Sequence, residues 1–391
     1  MFYIILFIYL LYYGNLQGTR PILSLFANAQ GASPFVIGLL VSCYALLPML
    51  LAVTIGKWLD QYGARHMVIM GSSGLLVCLL IPIIYPSVVS LFFSQLGFGF
   101  SQLFITLSLQ KTVGNWPGVR DKLIAAFTLT GSFGELAGPL LFGFTYEHYG
   151  FRVSLGISFF VILMALIAGL IIKPSYWKSG DSSIKGNTQV TGPAWKMLKQ
   201  KNLLKVLIIS GLVLYSKDLY MAFFPIYAHS KGLSPGTIGI ILSIMGGMAM
   251  VVRLYQFHLV SKFGRGLVLT TTLIISGFCY VLVTGTGNFV FLTVLTGLLG
   301  AGLGLGHPLS LVYAMNLTPP ERHGEVLGLR VTFNRTTQFF APFLLGGIGG
   351  IAGVVPIFWV TGGILLFGAY FTHIKSSPIH ELPKTTGTAV H

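Results

Sequence analysis

Seven charged side chains stand inside stretches that are otherwise apolar: Arg20, Glu135, Lys217, Asp218, Arg253, Arg330 and Arg335. A charge at the centre of a lipid bilayer costs about 2.5–3.5 kcal/mol even on a lenient scale, so such groups face a protein-lined cavity and one another. Five of these seven are cations. The positive surplus suits a small molecule that carries negative charge, and Arg335 can grip a carboxylate or phosphate through two parallel hydrogen bonds. Arg330, Asn334 and Gln338 recur every four residues, so they share one helix face with Arg335 beside it. Lys217 and Asp218 are adjacent and point about 100° apart on a helix. Each therefore needs a partner elsewhere, and Glu135 with Arg20 or Arg335 can supply it. Burial and a neighbouring cation move a carboxyl pKa in opposite directions, so Glu135 and Asp218 can exchange a proton when their surroundings change. His307, in GLGLGHPLS, is a further substrate or proton contact to set against a packing residue beside Pro308. Arg253 lies closer to a helix end and reads as a snorkelling side chain. Tyr215, Tyr220 and Tyr313 are possible cavity donors.

The elements that hold these residues must span a membrane. The 391 residues are 54% hydrophobic and 8% charged, with a mean hydropathy of +0.82. A soluble domain carries about 25% charged residues, so a soluble enzyme, a disordered chain and a nucleic-acid binder are excluded. The 49 glycines fit helices packed backbone to backbone in lipid. Most of the 24 Lys and Arg fall in one alternating set of loops and tails, whereas the opposite set holds Arg152 and Lys231. That asymmetry puts the crowded side, with both termini, in the cytoplasm, and the expected location is the inner membrane of a bacterium. Cys43, Cys78 and Cys279 sit singly in apolar runs and read as small buried residues rather than metal ligands or disulfides. No cofactor is expected. Neither a P-loop nor an HExxH motif occurs, which argues against ATP-driven work and against an enzyme.

Runs of about twenty apolar residues cross a bilayer. They occur at 2–26, 34–57, 67–85, 88–110, 123–145 and 153–173, then at 204–229, 236–260, 267–285, 290–316, 325–349 and 353–374. The expected organisation is an N-terminal half at 1–173, a cytoplasmic linker at 174–203, a C-terminal half at 204–374 and a tail at 375–391. The halves are related. FANAQGASPFVIGLL at 26–40 aligns with YAHSKGLSPGTIGII at 227–241, an offset of 201 that also brings Gly63 onto Gly264. An offset of 203 brings Pro139 onto Pro342, and Gly97 and Gly99 onto Gly300 and Gly302. Repeats of six helices are how many transporters build a central site between two rocking halves.

Two motifs make the resemblance specific. GKWLDQYGARH places Gly56, Asp60, Gly63 and Arg65 at the spacing of a cytoplasmic signature, and GSFGELAGPLLFG carries Gly134, Gly138, Pro139 and Gly143. The chain resembles the major facilitator superfamily. The resemblance implies an all-α integral membrane fold of twelve transmembrane helices in two pseudo-symmetric six-helix halves, working by alternating access as a monomer. It also implies that the Asp60 segment latches the outward-facing state, and that the Gly134–Gly143 segment is of the antiporter type, which points to export. Together with the charge argument the expected function is proton-coupled export of a small organic anion, such as a carboxylate metabolite, a siderophore or an acid-bearing drug. Arg335, Lys217 and Arg20 would bind it, with His307, Asn334, Gln338 and Arg330 beside them, and Glu135 and Asp218 would carry protons. The alternatives are proton-coupled uptake of an organic anion, a broad multidrug exporter and, in another class, a non-transporting membrane receptor.

Overall fold

The computed structural model describes residues 1–114, 116–117, 120–177, 194–318 and 322–371. Twelve long helices result: α1 (Phe2–Ala29), α2 (34–62), α3 (64–84), α4 (Val88–Gly114), α5 (120–149), α6 (151–171), α7 (Lys201–Ser230), α8 (Pro235–Leu254), α9 (Arg265–Val283), α10 (Phe289–Asn316), α11 (His323–Ala352) and α12 (Val354–Phe371). The described residues contain no strand. Residues 178–193 of the expected linker and the tail at 375–391 lie outside the described residues, while short helices occupy Pro174–Trp177 and Ala194–Lys199. One expected span needs correction. The run at 236–260 is two helices, because polar Gln256, His258 and Lys262 follow the apolar stretch, and a separate helix covers Gln256–Phe263.

Backbone geometry records the repeat. Among the described residues, the six glycines with positive φ form three pairs across the halves: Gly31 and Gly232 (79° and 86°), Gly63 and Gly264 (78° and 77°), Gly150 and Gly353 (77° and 84°). A side chain at such φ is strained, so glycine is required at each of these breaks between helices. Both halves also start a helix alike. Ser33 and Ser234 are N-caps followed by proline, and their hydroxyls accept from the backbone N–H groups of Val36 (3.4 Å) and Thr237 (3.3 Å).

Within each half, small residues let helices touch. A Cβ on Gly99 would overlap the Tyr44 carbonyl, and one on Gly300 the Met245 carbonyl. Both members of this contact differ by 201, so Gly99 pairs with Gly300, not with Gly302 as the offset of 203 suggests. The shift by two residues enters only later in each half.

Between the halves, α2 crosses α11 and α5 crosses α8. The Cα of Gly38 lies 3.0 Å from a Cβ built on Gly346, and the Cα of Gly239 lies 2.9 Å from one on Gly143. Pro342 and Pro139 carbonyls sit over Gly38 and Gly239 in the same way. The two crossings are thus pseudo-symmetric copies. They lie toward the face opposite the basic loops, whereas Gly56 and Gly328, toward the basic face, meet nothing within 4 Å. Gly239→Val and Gly38→Val should each force apart one crossing, at about 1–3 kcal/mol for overpacking. Thermal unfolding in detergent checks this, and the same change at Gly328 should be near neutral by comparison.

Candidate substrate and proton site

Five helices, α1, α5, α7, α8 and α11, carry the charges that lie within the membrane. On α1, Tyr9, Tyr13 and Arg20 follow one face, with Tyr9 stacked on Tyr13 (5.3 Å) and on Phe127 of α5 (3.8 Å). Glu135 lies on α5, Lys217 and Asp218 on α7, and Arg330, Asn334, Arg335 and Gln338 on α11.

The neighbours Lys217 and Asp218 diverge. Lys217 Nζ donates to Glu135 Oε1 at 2.6 Å, and Tyr13 donates its hydroxyl to the same oxygen at 2.9 Å. Asp218 Oδ1 pairs with Arg20, while its Oδ2 accepts from Gln338 Nε2 at 2.8 Å. Both pairs bridge the halves with opposite polarity: the N-terminal half supplies the acid in one and the base in the other. Glu135 and Asp218 are buried, and breaking such a pair from one side costs about 3–5 kcal/mol because the other charge stays behind.

The prolines of the crossings shape this layer. Proline has no N–H, so the carbonyl four residues earlier loses its helical donor. For Pro139 that carbonyl is on Glu135, and for Pro342 it is on Gln338. These two residues are mates at the offset of 203, and each holds one of the α7 charges. A Cβ on Gly246 would lie 2.7 Å from the Glu135 carbonyl, so α8 passes directly over it.

Arg253 does not snorkel to the basic face. Its Nη1 donates to Ser132 Oγ at 2.6 Å, its Nε donates to the Gly304 carbonyl at 3.0 Å, and Nη2 stands 3.8 Å from Glu135 Oε1. The second oxygen of Glu135, Oε2, is buried with no hydrogen-bond partner among the described residues. A carboxylate with two cations at hand and one oxygen unfilled is an uncompensated feature of the interior.

Arg335 differs from the other cations of this layer. Its Nη1 donates to Gln338 Oε1 at 3.2 Å, and no carboxylate lies within 4 Å of it among the described residues. Arg20 lies over the Tyr44 ring at 4.6 Å from its centroid, and Tyr44 donates its hydroxyl to Gln102. Asn334 is buried, and its Oδ1 has no hydrogen-bond partner among the described residues. Arg330 is buried too, donating to Ser310 Oγ at 3.3 Å. His307 is on α10, and its side chain is outside the described residues. A small open cavity of about 40 Å³ is lined by Arg20, Tyr44, Gln95 and Asp218, on the side away from the basic face.

The sequence motifs fall at two places. Gly63 makes the turn between α2 and α3, and Asp60 pairs with Lys111 of α4 at 2.7 Å, within its own half. Arg65 reaches the Leu170 carbonyl at 3.5 Å, and Gly56 is open. The Asp60 pair is exposed, worth about 0–1 kcal/mol. Of the α5 motif, Gly143 and Pro139 meet α8 across the halves, whereas Gly134 and Gly138 pack within the half against Gly14 of α1.

Tyr13, Tyr9, Tyr44 and Ser132 belong to the site although the sequence reading passed over them. A readable signal existed for α1, where Tyr9, Tyr13 and Arg20 recur at helical spacing. Of the tyrosines expected there, Tyr220 is instead packed inside the C-terminal half, with its hydroxyl on Thr296 Oγ1 at 2.6 Å and its ring against Tyr280.

Residues 5–265 and 257–388 match the sequence profile of the Major Facilitator Superfamily. Among relatives, Multidrug resistance protein 2 of Bacillus subtilis is 25% identical over 377 residues, covering 90% of this chain and 90% of its own. The Multi-drug resistance efflux pump PmrA of Streptococcus pneumoniae is 22% identical over 365 residues, covering 91% and 90%. In fold the chain is similar to the crystal structure of the nucleoside transporter NupG, with a TM-score of 0.76 at 13% identity over 95% of this chain and 98% of that one.

Proposed function

The chain belongs to the Major Facilitator Superfamily, and on that premise we propose that it exports small amphipathic organic compounds bearing a negative group, in exchange for protons, by alternating access. Membership makes it a multi-pass membrane transporter. The substrate class is the proposal, and Arg335 carries it. Both buried carboxylates of the layer are already held by Lys217 and Arg20, so among the described residues no carboxylate balances the guanidinium of Arg335. An incoming carboxylate, sulfonate or phosphate supplies one.

Glu135 and Asp218 serve as the proton carriers in this reading, since neutralising either one dissolves a bridge between the halves. The basic face is the cytoplasmic one by the distribution of Lys and Arg. Export is supported by the Gly-Pro motif of α5 and by relatives named for multidrug resistance and efflux. One observation favours a second reading, proton-coupled uptake of the same anion. A proton on Glu135 or Asp218 frees a cation, so proton and anion help each other bind.

A thermal-shift series on the purified protein in detergent tests the substrate class. Amphipathic carboxylates and aryl sulfonates should raise the unfolding temperature, and lipophilic cations of equal size should not. Stabilisation by the cations alone would overturn the charge argument and leave a general drug exporter.

A further inference from the structure

At the far end of α5 the chain of the N-terminal half reaches across to the C-terminal half. Glu147 Oε2 accepts from the backbone N–H of Gly236 at 2.6 Å and from the hydroxyl of Ser234 at 2.9 Å. These two groups are the beginning of α8. Ser234 is its N-cap, Pro235 has no N–H, and Gly236 is the first residue of the helix with one to give. Glu147 takes that donor at the positive end of the helix, where a carboxylate is favoured. The contact needs the glycine, because a Cβ at position 236 would overlap Glu147 Oε2. Directly below, Gly143 and Gly239 close the same crossing.

The mirrored crossing has no such bond. An offset of 203 places Gly350 where Glu147 stands, and there the start of α2 meets Gly350 and Gly349 through Phe35 and Pro34. The carboxylate clamp is therefore an addition to one side of a symmetric seam, not a by-product of the repeat. Glu147 is exposed, outside the buried charge layer and free of its pairs.

We propose that Glu147 is the outer latch of the transport cycle: a positioning residue that holds the α5–α8 crossing shut on the outer side and must let go of Gly236 and Ser234 before that side opens. The proposal rests on alternating access and on the basic face being cytoplasmic, and is independent of the substrate's charge. Opening exposes the Gly236 N–H, the Ser234 hydroxyl and the carboxylate to water, so the latch biases the equilibrium without locking it. Glu147→Gln keeps an acceptor for both donors but loses the charge. Its outward-open population should rise by roughly two- to fivefold, the range for a carboxylate at an exposed helix start. Glu147→Ala loses the bonds as well, and the rise should be roughly tenfold.

The test uses full-length protein in nanodiscs, with its three cysteines replaced and spin labels at Tyr149 and Lys231, which flank the latch. A second label pair, at Lys111 and Lys262, reports the basic face. The expected result is a longer-distance population at the first pair that grows in the order wild type, Glu147→Gln, Glu147→Ala, with unfolding temperatures kept as a check on folding. Unchanged distances at the outer pair in both folded variants would overturn the latch. If the basic-face pair still switches in the wild type with pH, alternating access survives that outcome. If neither pair ever moves, alternating access itself fails.

Discussion

Arg335→Gln should weaken binding of an amphipathic carboxylate or sulfonate by about ten- to one-hundredfold, the value of a hydrogen bond to a charged group at about 1.5–3 kcal/mol. The fold should not notice. Arg335 gives one 3.2 Å hydrogen bond to Gln338 and balances no carboxylate within 4 Å among the described residues, so its removal strands no charge. Arg335→Lys keeps the charge but not the planar fork, and should fall between the two. Calorimetric titration with one aryl sulfonate measures all three proteins. An affinity unchanged in Arg335→Gln removes this residue from the site.

The second large effect concerns Glu135, and it is a stability effect before it is a transport effect. Glu135→Gln leaves Lys217 buried at 2.6 Å from a neutral amide, with Arg253 close by, and should cost about 3–5 kcal/mol. Adding Lys217→Met removes the stranded cation and should recover most of that loss. The non-additivity of such a cycle is the signature of a coupled pair. Both variants should lose the response of transport to a pH gradient, since neither has a carboxylate at this position to protonate. A Glu135→Gln protein that unfolds as the wild type does would show that Lys217 is already neutral or solvated. Full pH-driven transport in that variant would pass the proton role to Asp218.

Much of this arrangement was legible in the sequence because membranes make charge conspicuous. The seven buried charges, the opposed directions of Lys217 and Asp218, and the repeat at offsets of 201 and 203 needed only spacing and the cost of burial. The Glu135 and Gln338 correspondence was in the sequence too, in prolines four residues beyond each, but its meaning depends on knowing which carbonyls the prolines release. What spacing hides is azimuth and partner. Arg253 sits where a snorkelling arginine would, and only the packing of α8 over Glu135 turns it inward. Tyr13 and Tyr220 are alike as residues on apolar helices, yet one faces Glu135 and the other Thr296. Among the described residues, α1 and α11 fall short of the apolarity that the other spans reach, although their apolar runs are readable in the sequence. Those are two of the helices that line the site, made less apolar by Asn15, Gln17 and Arg20 in one and by Arg330, Asn334, Arg335 and Gln338 in the other.

The central claim is a carrier that takes negative charge at Arg335 and exchanges it for protons. The most direct test is movement of an amphipathic aryl sulfonate, whose charge does not vary with pH, into proteoliposomes carrying an imposed pH gradient. With the interior acid, the account predicts accumulation above that of protein-free liposomes, lost in Arg335→Gln. Accumulation only when the exterior is acid would instead mean that proton and anion travel together, as in the uptake reading. Accumulation of a lipophilic cation with no movement of the sulfonate under either gradient would contradict the claim outright.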